Sequence, residues 1–98
     1  MGFNKVLGIL VFLISSSGHA GVGAPPAAAN ACIGCHGSGG VSASPLWPNL
    51  AGQKEGYISK QLQDFKSGQR KDPLMSPISL SLSDQDISDL AKYFSSLK

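Results

Sequence analysis

The sequence predicts an all-α protein built from short helices. Two stretches repeat apolar residues at helical spacing, at positions 58, 62 and 65 in one and at 87, 90, 91, 94 and 97 in the other. A third stretch, residues 26–35, begins with proline and is rich in alanine, a composition that favours a helix. The glycine-rich stretch from 37 to 48 has none of the alternation that is typical of a strand.

The first 20 residues have the composition of a signal peptide. Lys5 supplies a positive charge, an apolar run follows it, and small residues lead up to a cleavage point after Ala20. The apolar run is about nine residues long, well short of the roughly 20 that a membrane-spanning helix needs. We therefore expect export, removal of residues 1–20, no membrane span after processing, and one small mature domain of residues 21–98.

The motif Cys32-Ile33-Gly34-Cys35-His36 is the signature for attachment of a c-type haem. Residues three apart on a helix project from the same face, so both thiols can reach one edge of a porphyrin. His36 follows directly and carries a ring nitrogen to the iron. The motif predicts one covalent haem c, held by thioethers at Cys32 and Cys35 and by His36 as an axial iron ligand.

Three other kinds of site use the same residue types. A thioredoxin-like dithiol normally lies in a βαβ setting, which does not surround this motif. A structural zinc ion needs four ligands, and the only other histidine, His19, leaves with the signal peptide, so zinc would have to recruit Asp or Glu. A disulfide between Cys32 and Cys35 would close too small a loop to stabilise the chain much.

The first helix should run from about Pro26 to Cys35 and end at the glycines that follow His36. Ala28, Ala31 and Gly34 would form a surface without bulk, on which a second helix can cross.

The second helix should lie within Gln53 to Ser67, with Gly68 as its C-terminal stop. The next segment, Leu74-Met75-Ser76-Pro77, is interpreted as a proline-flanked loop. With Met1 and His19 removed and His36 already used, Met75 is the one remaining thioether or imidazole, which makes it the candidate sixth ligand in the usual His/Met arrangement. A lysine ligand or an open iron site remains as an alternative.

The last helix should begin after Ser83, which forms a capping-box pattern with Asp86, and continue to the C-terminus. Either Tyr93 or Phe94 would meet the small surface of the first helix; the sequence does not decide between them.

The order of these motifs resembles that of a small class I cytochrome c. The residues that carry the resemblance are 31–37, then Pro48-Asn49-Leu50-Ala51-Gly52-Gln53, then Met75 shortly before the last helix. The chain is most similar to the single-haem bacterial periplasmic kind and to one half of the related dihaem cytochromes. The resemblance implies three to four short helices around a covalently bound haem, with the first and last helices crossing.

The same resemblance implies roles for two residues of the loop. The backbone carbonyl of Pro48 would accept a hydrogen bond from the ring nitrogen of His36 that does not face the iron, which sets the tautomer of the ligand. Trp47 would either contact the haem edge, with its indole hydrogen on a propionate, or only cap the loop.

With both axial positions filled, the metal has no site for a substrate, so the expected function is that of a soluble one-electron carrier of the periplasm and not of an enzyme. The expected partners are redox proteins that bind briefly to a monomer. A net charge of +2 is too small to suggest nucleic acid. One alternative is a haem-bearing electron-transfer subunit of a periplasmic dehydrogenase or reductase complex; another is a haem enzyme or gas sensor in which the iron is open.

Overall fold

The computed structural model describes residues 23–98, which form one 3-10 turn and four α-helices. In chain order these are the 3-10 turn Ala27–Ala29, α1 (Asn30–His36), α2 (Glu55–Ser67), α3 (Met75–Leu80) and α4 (Asp84–Ser96). No strand occurs within the described range, so the all-α expectation is confirmed. The predicted signal peptide of residues 1–20 lies outside the described residues.

The first helical segment differs from its predicted bounds by one residue at each end. Pro26 has extended backbone and precedes a 3-10 turn, which continues directly into α1. At the other end Gly37 has a φ of +88°, and a Cβ placed there would lie 2.0 Å from the carbonyl oxygen of Val41. Only glycine fits this position, because it alone adopts this backbone without strain or a clash.

The small surface predicted for helix crossing is right at Ala28, which packs against the core cluster, and wrong at Ala31 and Gly34. Gly34 is exposed, and an added Cβ there would meet no heavy atom within 4 Å. Ala31 is also exposed, whereas Ala29 and Cys32 are buried and belong to the same hydrophobic cluster as α4. The contact of α4 with this segment is made at the 3-10 turn, so the helices meet earlier in the chain than Gly34.

Helix α2 buries the predicted stripe of Ile58, Leu62 and Phe65. It ends at Gly68, which adopts the left-handed conformation that terminates many helices. Lys66, in its last turn, donates a hydrogen bond to the carbonyl oxygen of Leu82. This bond ties the end of α2 to the connector between α3 and α4.

The segment interpreted as a proline-flanked loop is instead the short helix α3. Met75 is its first residue, and Pro77 lies within its first turn. Proline is tolerated there because the first amide groups of a helix have no intrahelical partner. The loop interpretation missed this exception.

Helix α4 begins with the predicted capping box. The amide of Asp86 donates to the Ser83 hydroxyl at 3.0 Å, and the Ser83 amide donates to the Asp86 carboxylate at 3.0 Å. The residues predicted to face the core are all buried, namely Ile87, Leu90, Ala91, Phe94 and Leu97.

The core lies between α2, α4 and the first helical segment. Phe94 is 1% exposed and shares the buried cluster with Ala29, whereas Tyr93 is partly buried at the cluster's edge. The two rings meet edge to face, with centroids 5.1 Å apart. Phe94 is therefore the aromatic residue that fills the core beside the first helical segment. None of the helices between residues 23 and 98 has the length and apolar character needed to cross a membrane.

Candidate functional site

Helix α1 presents both thiols and the imidazole of the attachment motif to one cleft. Cys32 is buried and Cys35 is half-buried, and neither is part of a disulfide. Burial raises the pKa of the Cys32 thiol above its ordinary value. The disulfide alternative is thus not the state of these residues in the structure, and both sulfurs are available for bonding.

The cleft has a volume of about 420 Å³ and brings together residues from every helix. Its volume is in the range of cofactor sites, which run from about 300 to 1,000 Å³. All six residues named from the sequence line it: Cys32, Cys35, His36, Trp47, Pro48 and Met75. Residues more than 40 positions apart in the chain therefore meet at one site.

The histidine of the motif contacts the loop that follows it. The Nδ1 atom of His36 lies 2.7 Å from the carbonyl oxygen of Pro48. A carbonyl oxygen can only accept, so Nδ1 must carry the hydrogen and donate it. In the neutral ring this tautomer leaves the lone pair on Nε2, the form of imidazole that binds a metal.

Gly40 holds this loop in place against α1. Its carbonyl oxygen accepts from the amides of Leu50 and Ala51 at 2.8 and 2.9 Å, and its own amide donates to the carbonyl of Gly37 at 2.9 Å. Its φ is +73°, and an added Cβ would lie 2.9 Å from the amide nitrogen of Ala51. These bonds join the two ends of the segment that contains Trp47 and Pro48. Gly40 therefore helps to fix the position of the Pro48 carbonyl.

Met75 enters the cleft from α3, with its backbone held by Asp72. One carboxylate oxygen of Asp72, Oδ2, accepts from the amides of both Leu74 and Met75 at 2.8 Å. These two bonds hold the pKa of Asp72 below its ordinary value. The bond from the Met75 amide has the largest effect, and the charge of Arg70 contributes less. The sequence predicts a role for Met75 but not for Asp72, because an aspartate three residues before a helix cannot be told by sequence from any other charged residue of a connector.

The mouth of the cleft has an apolar rim that sequence analysis did not find. Leu46, Tyr57 and Leu74 line the cleft and are 81%, 51% and 56% exposed. Tyr57 lies next to the buried stripe of α2. This position predicts a residue at the edge of the core and does not indicate a binding site. Arg70 also lines the cleft; its guanidinium lies 4.6 Å from the centre of the Phe65 ring and donates to Gln61.

These residues fit a covalently held haem better than the alternatives. The cleft offers two free thiols, an imidazole in the metal-binding tautomer, a thioether and largely apolar walls. Zinc would need further acidic or histidine ligands, and residues 23–98 contain no group of three or more His, Cys, Asp or Glu side chains arranged to hold a metal ion. A thioredoxin-like site would need strands, which this part of the chain lacks.

Comparison with known proteins identifies relatives over nearly the whole described range. The family model described as cytochrome c matches residues 23–98. Cytochrome c4 of Pseudomonas aeruginosa is 41% identical over 97% of this chain and 49% of its own length. A protein of Stutzerimonas stutzeri named thiosulfate dehydrogenase electron acceptor is 47% identical over 70% of this chain and 32% of its own. The chain thus spans about half or less of the length of these curated relatives.

A solved structure has the same fold. The cytochrome c4 of Acidithiobacillus ferrooxidans superimposes with a TM-score of 0.64 and is 45% identical, over 67% of this chain and 38% of that one. The small fold expected from the order of motifs is confirmed by this likeness.

Proposed function

The chain belongs to the cytochrome c family, and on that premise we propose that it works as a one-electron carrier with one covalent haem c. The observation that carries the proposal is the meeting of the Cys32, Cys35 and His36 motif with Met75 in one cleft. Bound there, the haem supplies an iron that changes between its ferrous and ferric states.

Each candidate ligand has a separate task. Cys32 and Cys35 would hold the haem through thioethers, and His36 and Met75 would be the ligands of its iron. The hydrogen bond from His36 Nδ1 to Pro48 supports this assignment, because it favours the neutral tautomer with the lone pair on Nε2 and fixes the orientation of the ring. Trp47 lines the same cleft, which supports a haem contact over a purely structural cap of the loop.

With two protein ligands, the iron would have no position left for a substrate. The remaining function is transfer of an electron to a partner through the open mouth of the cleft. The apolar walls of the cleft, together with a thioether ligand, would favour the less charged ferrous state of the iron and so raise its reduction potential. We therefore propose a carrier and not an enzyme.

The partners would be other redox proteins that meet the cleft mouth briefly. Leu46, Tyr57 and Leu74 are exposed apolar residues there, which a partner could contact in a weak encounter. We propose that the protein is exported by a cleavable signal peptide, acts in the periplasm as a single domain of residues 21–98, and is a monomer between encounters.

A second candidate function is a fixed electron-transfer subunit of a dehydrogenase or reductase complex. The relative named as an electron acceptor of thiosulfate dehydrogenase favours it. Gel filtration of native extract separates the two, because a subunit elutes with its partner and a free carrier elutes at the size of one small domain.

The visible and near-infrared spectrum of the purified protein tests the ligand set. We expect covalently bound haem, a sulfur-to-iron charge-transfer band in the ferric protein, and no rapid binding of carbon monoxide in the ferrous protein at neutral pH. Rapid carbon monoxide binding would contradict the closed site and favour a haem enzyme or gas sensor. Colourless protein from a host competent in cytochrome maturation would contradict the proposal as a whole.

A further inference from the structure

Asp72 and Ser76 form a reciprocal pair around the start of α3. Oδ2 of Asp72 accepts from the amides of Leu74 and Met75, each at 2.8 Å. In return the Asp72 amide donates to the Ser76 hydroxyl at 2.9 Å, and the Ser76 amide donates to the Asp72 carbonyl at 3.0 Å. Four hydrogen bonds therefore join Asp72 to Met75 and to the two residues beside it.

These bonds matter because they supply a cap that the residue before the helix does not. The residue before the helix, Leu74, supplies no side-chain cap and is 56% exposed. The first amide groups of a helix have no intrahelical acceptor, so without Asp72 the amide of Met75 would turn to water. A helix of six residues has few internal bonds of its own to keep its first turn formed.

We infer that Asp72 is a positioning residue for Met75, and that its two backbone hydrogen bonds determine how firmly the Met75 thioether is kept at the iron. The inference rests on the proposed function, in which Met75 is the sixth ligand. A methionine side chain has three rotatable bonds, so its sulfur is aimed only as well as its backbone is held. Frequent opening of the first turn of α3 would let the sulfur leave the site.

The test compares Asp72→Ala with Asp72→Asn and with a matched control, Ser83→Ala. Alanine removes the acceptor, whereas the Asn carbonyl oxygen keeps one in the same place. Ser83 makes the equivalent capping bond at α4 but does not contact the site, so its variant loses a cap without loss of the proposed role. All are measured as the haem-loaded protein at a temperature well below unfolding.

In Asp72→Ala we expect the fraction of protein with the thioether off the iron, read from the rate of carbon monoxide binding to the ferrous form, to rise about fivefold, the usual effect of a lost helix cap. The sulfur-to-iron charge-transfer band of the ferric protein should weaken in parallel. In Asp72→Asn most of the band should remain. In Ser83→Ala the unfolding temperature should fall while the band and the carbon monoxide rate stay as in the wild type.

The wild-type spectrum separates failure of this inference from failure of the proposed function. If the wild type lacks the band, Met75 is not the ligand and both are wrong. If the wild type has the band and Asp72→Ala keeps it with an unchanged carbon monoxide rate, only the positioning role is wrong. Equal loss in Asp72→Asn and Asp72→Ala would also overturn it, because the acceptor would then not be what holds Met75.

A second variant, Ser76→Ala, tests the inference if Asp72→Ala does not fold. Ser76→Ala removes the hydroxyl that accepts from the Asp72 amide, and therefore loosens the same turn while Asp72 stays in place. We expect a smaller rise in the carbon monoxide rate, about twofold. An unchanged rate in a folded Ser76→Ala protein would overturn the inference.

Discussion

The Nδ1 atom of His36 lies 2.7 Å from the carbonyl oxygen of Pro48, twelve positions further along the chain. This one bond joins the last residue of α1 to a loop with no regular structure of its own. The loop can make it because Gly40 turns the chain and accepts two hydrogen bonds from the loop's far end. The orientation of the imidazole thus depends on a glycine that is itself not in the cleft.

Gly40→Ala should therefore destabilise the protein by about 1–3 kcal/mol, the usual cost of a side chain in the left-handed region. The added Cβ would also lie 2.9 Å from the Ala51 amide nitrogen, so the loop must shift. Gly39→Ala is the matched control, because a Cβ there meets nothing within 4 Å. Denaturant unfolding of the haem-loaded variants measures both, and equal stability of the two would contradict the role given to Gly40.

Met75→Ala should open the iron. We expect loss of the sulfur-to-iron charge-transfer band, carbon monoxide binding to the ferrous form, and a reduction potential lower by roughly a few tenths of a volt, within the range of about 0.8 V that axial ligands cover. Leu74→Ala is the control, because Leu74 also lines the cleft but carries no donor atom. An unchanged spectrum in Met75→Ala would rule out this residue as the ligand.

Sequence reasoning was most successful where the signal is local. The attachment motif lies on one helical turn, and the stripes of α2 and α4 repeat at helical spacing, so the residues themselves carry the information. The capping box at Ser83 is equally local. Such features are predicted well because no distant part of the chain has to be known.

The errors come from contacts that no sequence pattern shows. Gly34 was expected at a helix crossing because it is small, but which side of α1 faces α4 is set by the path of the whole chain. Helix α3 was missed because Pro77 looks like a helix breaker, and its first-turn position is visible only once the cap from Asp72 is known. The exposed rim of Leu46, Tyr57 and Leu74 has no sequence signal beyond three ordinary apolar residues.

The chain without haem should be largely unfolded. A protein core alone gives only marginal stability to a domain this small, and a haem would supply further apolar volume against the walls of the cleft. The test is the variant in which both Cys32 and Cys35 are replaced by alanine, purified free of haem. We expect weak far-ultraviolet circular dichroism and no cooperative melting, and a fully cooperative thermal transition would contradict this.

Ser79→Ala should stabilise the protein, because it removes a buried hydroxyl group that makes no hydrogen bond within residues 23–98. Ser79 in α3 is 0% exposed, and its hydroxyl oxygen has no hydrogen-bond partner among the described residues. A buried hydroxyl without a partner costs free energy because it has lost its bonds to water, so its removal should raise the free energy of unfolding by about 1 kcal/mol. Ser81→Ala, at an exposed position two residues on, should change it by less than about 0.5 kcal/mol. Thermal unfolding of the haem-loaded proteins measures both, and a clear loss of stability in Ser79→Ala would mean that this hydroxyl is bonded in solution.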